Sequence, residues 1–407
     1  MENDAIDRKL DRLKEKVISG IDNRRTELID ISHYIHSHPE IKFQEFKSSK
    51  KLADYLEKNG FTVERGVYGL ETAFKASVGS SSAFGIGIMA EYDAVPDVGH
   101  GCGHNLIGTA AVGAGVALAE VMEELGGNVV VFGTPAEEGG NAKQLMAERG
   151  AFGDIDAAMM IHPFVSDHVY NNTLVITDLI TVEYFGKTAH ASQPERGINA
   201  LDAMVIGYTA FKLTFPVTIT PIIITKGGDW IANVPDHTKA QILLGARSEK
   251  ELREIVNKTE GCFKAGAEAT GARMVFHHEW NNRYRATYVN KVLADCFNAN
   301  MGSIRKEWNP SQPYPGSELA ATDMGSVSQI VPAIHPWIAI MPADAIFHTP
   351  ESSEAAISDV GHKAMLDGAK AMAMTTVDLM LQPQMLNKAK ETFSEMKAEV
   401  MSTHTTG

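Results

Sequence analysis

Two side chains that bind transition metals well stand two positions apart in Gly99-His100-Gly101-Cys102-Gly103-His104-Asn105, where glycines let the backbone bend around whatever the loop grips. Cys102 and His104 on one short loop lose little entropy when they converge on a cation. A glycine-rich turn of this kind is also a common structural element, so the loop alone does not decide. Further on, Thr134-Pro135-Ala136-Glu137-Glu138-Gly139-Gly140 sets two adjacent carboxylates just after an apolar run. One of such a pair can bind a metal while its neighbour takes a proton from water, the division of labour that hydrolysis needs. The competing reading is a solvated acidic turn. His162-Pro163 follows the next apolar run, and Phe347-His348-Thr349-Pro350-Glu351 places another imidazole before a helix. Taken singly, His162 reads as a core histidine and His348 as part of a helix start. Together, Cys102, His104, Glu138, His162 and His348 exceed the four ligands of a closed structural zinc site. One or two divalent cations per subunit, zinc, manganese or cobalt, are therefore expected. Such a cation lowers the pKa of water from about 15.7 toward about 7, so hydrolysis is the default chemistry.

These residues need a scaffold that brings strand ends together. Residues 84–90, 128–133 and 156–161 are short apolar runs bounded by Gly, Pro or Asp, the pattern of buried parallel strands. Residues 5–37 carry apolar positions at helical spacing (Leu10, Leu13, Val17, Ile21, Leu28, Ile31, Ile35), and residues 106–125 are Ala-rich and helical. Strand and helix in alternation predict a wound α/β sheet, whose ligands gather at the carboxyl edge. The rhythm then changes. Strand 175–185, helix 199–213, strands 217–225 and 238–246, helix 249–269 and strand 273–279 spell βαββαβ, a ferredoxin-like unit able to fold alone. The expected domains are residues 1–174 and 289–407 as one catalytic domain and 175–288 as an inserted lid or dimerisation domain. Its sheet has free edges that pairing would cover, so a homodimer is expected. The main domain continues with a strand at 338–341, a long helix at 354–379 and a helical tail to about 400, with residues 402–406 frayed.

A chain of 407 residues exceeds what one core usually supports, and 44% hydrophobic with 22% charged residues is ordinary globular usage. The net charge of −14 excludes nucleic acid and anionic membrane as main partners, since both select clustered Lys and Arg. The charged N-terminus lacks the apolar core of a signal peptide, and no run of about 18 apolar residues occurs. Cys102, Cys262 and Cys296 are scattered and odd in number, which fits a reducing compartment. A cytoplasmic protein is expected.

Nearly end to end, the chain resembles the M20 metallopeptidases and amidohydrolases. The motifs are Ile35-His36-Ser37-His38-Pro39-Glu40, Glu91-Tyr92-Asp93-Ala94-Val95-Pro96, the Cys102 to Asn105 loop, Pro135 to Gly140, Ile161-His162-Pro163, residues 186–194, Asn233-Val234-Pro235, Thr322-Asp323-Met324-Gly325 and His348-Thr349-Pro350. Their order and spacing are specific even though each is short. Within the family the Cys-Gly-His loop looks most like the aminoacylase-1-like-2 type of dipeptidase or the aminobenzoyl-glutamate hydrolase-like branch. The resemblance implies a zinc-exopeptidase-like wound sheet. It also implies Cys102, His104, Glu138, His162 and His348 as metal ligands and Glu137 as general base. His190 is similar to an inserted-domain histidine that reaches the partner subunit's site and stabilises the oxyanion. Asn233 would assist it, and Arg247 would pair with a substrate carboxylate, although an exposed loop histidine and a surface ion pair are alternatives for His190 and Arg247. Glu91-Tyr92-Asp93 departs from the His-x-Asp metal motif of the dinuclear exopeptidase branch, so no ligand role passes to Glu91 or Asp93. Asn105 stands where many auxin-conjugate hydrolases have Asp.

The expected reaction is cleavage of the amide of a small N-acyl amino acid or dipeptide, with release of a free amino acid. Glu137 would take the proton of the attacking water and pass it to the leaving nitrogen. Two other readings use the same scaffold: a protein that binds a peptide-like ligand or partner without catalysis, and a metal that serves only to hold the fold. Residues 309–317 are expected to help shape the pocket, and no code in them names the substrate.

Overall fold

Ile86, Ile88, Val129, Val130, Val131 and Phe132 are buried on two neighbouring strands of the first unit's sheet, where β-branched and aromatic side chains pack well on a pleated, covered surface. The computed structural model describes residues 2–80, 84–170, 176–215, 221–278, 283–310 and 321–405. Two compact units divide the chain: residues 1–172, 287–318 and 322–407 form the first, and 173–286 with 319–321 the second.

The first unit starts with helices α1 (Glu2–Asn23), α2 (Arg25–Ser37) and α3 (Phe46–Lys58). There follow β1 (Thr62–Arg65), β2 (Phe74–Gly79), β3 (Gly85–Ala90), α4 (His104–Ala119), α5 (Met122–Leu125) and β4 (Asn128–Gly133). The distorted turn α6 (Glu137–Gly140), α7 (Ala142–Glu148), β5 (Ala157–Met159) and β6 (His162–Phe164) complete this stretch. All of β3 and all but the first residue of β4 are buried. β3 pairs in parallel with β4 and β5, as the apolar runs predict. The sheet is nevertheless mixed: its order is β1-β2-β4-β3-β5-β11, and β2 runs antiparallel to both β1 and β4. β1 and β2 went unforeseen because their burial is partial and their polarity high. Gly133 ends β4 where a Cβ would come within 2.2 Å of the Phe74 ring, so this register tolerates only glycine.

The second unit runs β7 (Ile176–Phe185), α8 (Ala200–Thr214), β8 (Ile222–Lys226), β9 (His237–Ala246), α9 (Glu249–Thr270) and β10 (Arg273–His278). Its antiparallel sheet has the order β10-β7-β9-β8, the ferredoxin-like arrangement expected from βαββαβ. Strict alternation of burial along β9 leaves one face to the helices and turns the other away. Ile180, Val182, Tyr184, Ile242, Leu244, Phe211 and Phe263 form its own core. Residues 175, 217–220 and 279 of the expected strands and 311–317 of the expected pocket loop lie outside the described residues.

The chain then returns to the first unit with α10 (Lys291–Ile304), α11 (Met324–Ser328), β11 (Ala333–Ile334), β12 (Trp337–Ala339), α12 (Pro350–Ala355), α13 (Asp359–Leu381) and α14 (Pro383–Thr405). The helix expected over 354–379 is two helices. α12 stops at Ala355, and Ser358 caps α13 by accepting the Gly361 amide at 3.0 Å. The strand expected over 156–161 ends at Met159; His162 belongs to a separate parallel ribbon in which β6 pairs with β12. At the C-terminus, the helical backbone continues to Thr405 where fraying was expected. No described helix is long and apolar enough to cross a membrane.

Candidate metal centre

The site grows from the carboxyl ends of parallel strands in the first unit. β3 leads into Glu91 and Asp93, β4 into Glu137 and Glu138, and the chain beyond β5 into His162. The glycine loop delivers Cys102 and then His104, which opens α4. Gly103 makes that approach possible, since its φ of 75° is a left-handed conformation that side-chain-bearing residues rarely adopt. Ala136 (φ 56°) and His348 (φ 60°) accept the same conformation without being glycine, at a cost of about 1–2 kcal/mol each. Ala136 turns the chain immediately before the two carboxylates.

Among the described residues three overlapping groups result, each with ligand atoms within 4.8 Å of one another: Cys102, His104 and His162; Cys102, Glu138 and His348; His104, Glu137 and Glu138. Cys102 Sγ is 3.0 Å from His348 Nε2, and Glu138 Oε1 is 3.4 Å from the same nitrogen. The five ligand candidates and Glu137 therefore meet in one unit. His190, Asn233 and Arg247 belong to the second unit. His190 and Asn233 form an isolated antiparallel bridge, and His190 Nδ1 lies 2.8 Å from Ser192 Oγ. Arg247 follows β9, and its amide donates to Glu251 Oε2 at 2.8 Å.

The imidazoles are oriented from behind. His104 Nδ1–H donates to Asp93 Oδ1 at 3.0 Å, and His162 Nδ1–H donates to the Pro163 carbonyl at 2.6 Å. Each bond leaves the Nε2 lone pair for a ligand, the usual outer arrangement of metal-binding histidines. Asp93 Oδ2 also accepts the Glu138 amide at 2.8 Å, so one carboxylate braces two ligand candidates. Asn105 turns away from the cluster and donates to Ser32 Oγ and the Ala356 carbonyl.

Burial and neighbouring charges together shift the proton affinities in the cluster. Desolvation, reinforced by the charge of Glu138, pushes the Cys102 thiol well above its ordinary value. Desolvation followed by the charges of Glu138, Glu91 and Asp323 raises Glu137 in the same way. Glu138 is also desolvated, but His348 and His104 outweigh that and hold it at about 2. Desolvation and the neighbouring His104 lower His162 to about 4. In His104 the desolvation is overcome by Asp93 and Glu91, which leave it raised. A divalent cation suits this donor set. It favours thiolate and neutral imidazole, and it would give a partner to His104 Nε2, a buried atom that makes no hydrogen bond among the described residues, and a further partner to Glu138 Oε1 beside His348.

Sequence reasoning missed the shell around the ligands. Lys143 on α7 is fully buried between Glu91, with which it forms a short contact, and Asp323 Oδ1 at 2.7 Å. The opposing carboxylates outweigh desolvation and raise Lys143 above its ordinary value, while Asp323 is raised by its own burial to about 6. His335 packs edge-on against His162 with centroids 5.4 Å apart. Asp323 and Asp93 stood inside quoted motifs, whereas nothing marked Lys143 or His335.

A wound sheet that brings thiol, imidazole and carboxylate side chains together beside a further buried carboxylate has the donor set of a metal-dependent amidohydrolase. Residues 87–377 match the peptidase family M20/M25/M40. The chain belongs to that family. It is 33% identical over 402 residues to the Xaa-Arg dipeptidase of Mus musculus, covering 94% of this chain and 93% of the relative. Identity to a component of the p-aminobenzoyl-glutamate hydrolase of Escherichia coli (strain K12) is 28% over 447 residues, covering 91% and 93%. Among solved structures, a dinuclear metal-binding M20-family peptidase of Bacillus subtilis superposes with a TM-score of 0.62 at 18% identity, covering 88% of this chain and 99% of that one.

Proposed function

We propose that this enzyme hydrolyses the amide bond of dipeptides or small N-acyl amino acids and releases a free amino acid. Both relatives are named for amide substrates, one a dipeptide and one an acylated glutamate, which supports this class. Cys102, His104, Glu138, His162 and His348 would hold one or two divalent cations, with zinc, manganese or cobalt as the candidates. A cation held there would supply polarisation of the scissile carbonyl and a more acidic water. Glu137 accepts the proton of the attacking water and returns it to the leaving nitrogen, a role suited to a carboxylate whose affinity for protons is raised by burial. Asp93 keeps His104 in the tautomer that presents Nε2. His190, assisted by Asn233, stabilises the oxyanion from the neighbouring protomer of a homodimer, and Arg247 receives the substrate carboxylate. Residues 175–288 act as lid and dimerisation domain, and the protein works in the cytoplasm.

The observation that carries the reading is the convergence of the five ligand candidates with one more buried carboxylate, Glu137, beside Glu138. Release of primary amine is to be followed with Xaa-Arg dipeptides, other dipeptides and acyl amino acids, including aminobenzoyl-glutamate, in the presence of zinc, manganese or cobalt. Glu137→Gln is expected to keep its metal and lose about 100- to 10,000-fold in turnover, the span of general-base contributions. Unchanged turnover removes Glu137 from the mechanism, and no amine from any substrate favours a binding protein.

A further inference from the structure

We infer that Glu45 is a positioning residue for the Glu137–Glu138 pair, acting through the left-handed turn at Ala136. The inference rests on the base role proposed for Glu137. Glu45 is fully buried at the start of α3. Its Oε1 accepts two backbone amides, Phe43 at 2.8 Å and Ala136 at 2.9 Å. These two donors are both non-glycine residues with positive φ, 61° and 56°. A single oxygen thus secures two strained turns that lie 91 positions or two positions from it in sequence.

The other oxygen ties the clamp to a third loop. Thr72 Oγ1 donates to Glu45 Oε2 at 2.8 Å, and the Thr72 carbonyl accepts the Tyr92 hydroxyl at 2.6 Å. Tyr92 stands between Glu91 and Asp93. Neighbours of Glu45 grip the far side of the same turn: Lys42 Nζ donates to the Gly139 carbonyl at 3.0 Å, and the Phe43 ring packs against Gly140. Residues 42–45 therefore bracket residues 136–140 from both ends. Without an acceptor at Oε1 the Ala136 amide is buried and unpaired, and the turn that aims both carboxylates loses its restraint.

What matters in this arrangement is the reach of the side chain, more than its charge. Glu45→Gln keeps an oxygen for both amides and offers its amino group to Thr72. Glu45→Asp keeps the charge but withdraws the oxygens by about 1.5 Å, one C–C bond. Misplacing reacting groups by about 1 Å costs on the order of 100-fold, so Glu45→Asp is expected to lower kcat by about that factor with KM within roughly threefold. Competition with a chelator should also show its metal held about 10-fold more weakly, because Glu138 moves with the turn. Glu45→Gln should stay within about fivefold of the parent in kcat and in metal affinity. Circular dichroism on each purified variant establishes that it is folded, and Thr72→Val, which leaves both amide bonds to Oε1 in place, serves if Glu45→Asp does not fold; its kcat should fall no more than about fivefold. A folded Glu45→Asp with parental kcat and metal affinity overturns the inference, as does a Glu45→Gln as impaired as Asp, or a Thr72→Val that loses about 100-fold. Glu137→Gln measured alongside separates the two claims, since normal turnover there condemns the base role whatever the Glu45 variants do.

Discussion

Both imidazoles at the heart of the cluster are fixed by an acceptor behind the ring, Asp93 for His104 and the Pro163 carbonyl for His162. Further out, Lys143 joins two carboxylates in a setting that excludes water, with Lys143, Glu91 and Asp323 all at 0% side-chain exposure. Removing one partner of such a group leaves charge buried without compensation. Lys143→Met is therefore expected to destabilise the fold by about 3–5 kcal/mol in urea denaturation, and a loss below about 1 kcal/mol would show that the two acids tolerate each other. That the five ligand candidates and Glu137 could meet was legible because their types are diagnostic and they stand in a glycine loop, after an apolar run or, for His348, just before a helix. Lys143 and Glu45 were not. Lys143 meets Asp323 across 180 residues and Glu45 meets Ala136 across 91, and a single lysine in a helix or glutamate just before one carries no mark of a distant partner.

At the level of elements, continuous apolar runs were readable as covered parallel strands, and β3, β4 and β5 stand where they were expected within a residue or two. The ferredoxin-like order of the second unit was equally plain, since period-2 and period-3.6 segments alternate cleanly from β7 to β10. What failed were interruptions decided by single residues. Ser358 splits one long apolar helix pattern by capping its second half, and His162 leaves the main sheet because its strand pairs with β12 instead. Periodicity averages over such positions. The antiparallel edge, β1 and β2, escaped for a different reason: half-solvated strands mix polar and apolar residues and look like loops.

For the whole molecule, the proposal that His190 acts across the boundary between protomers makes oligomeric state a functional quantity. Sedimentation at working concentration is expected to give a dimer whose activity falls on dilution into monomer; a fully active monomer would end the role assigned to His190. The residues gathered at the strand ends are proposed to hold a catalytic cation. Stripping the purified enzyme with a chelator while following amine release, circular dichroism and metal content together decides between a catalytic and a structural cation. Activity should vanish with the fold intact and return on adding zinc, manganese or cobalt, with at least one cation per chain bound to the parent and almost none to a Cys102→Ala, His348→Ala double variant. Hydrolysis that survives complete removal of metal would rule out a catalytic cation, and unfolding on chelation would make the cation a structural one.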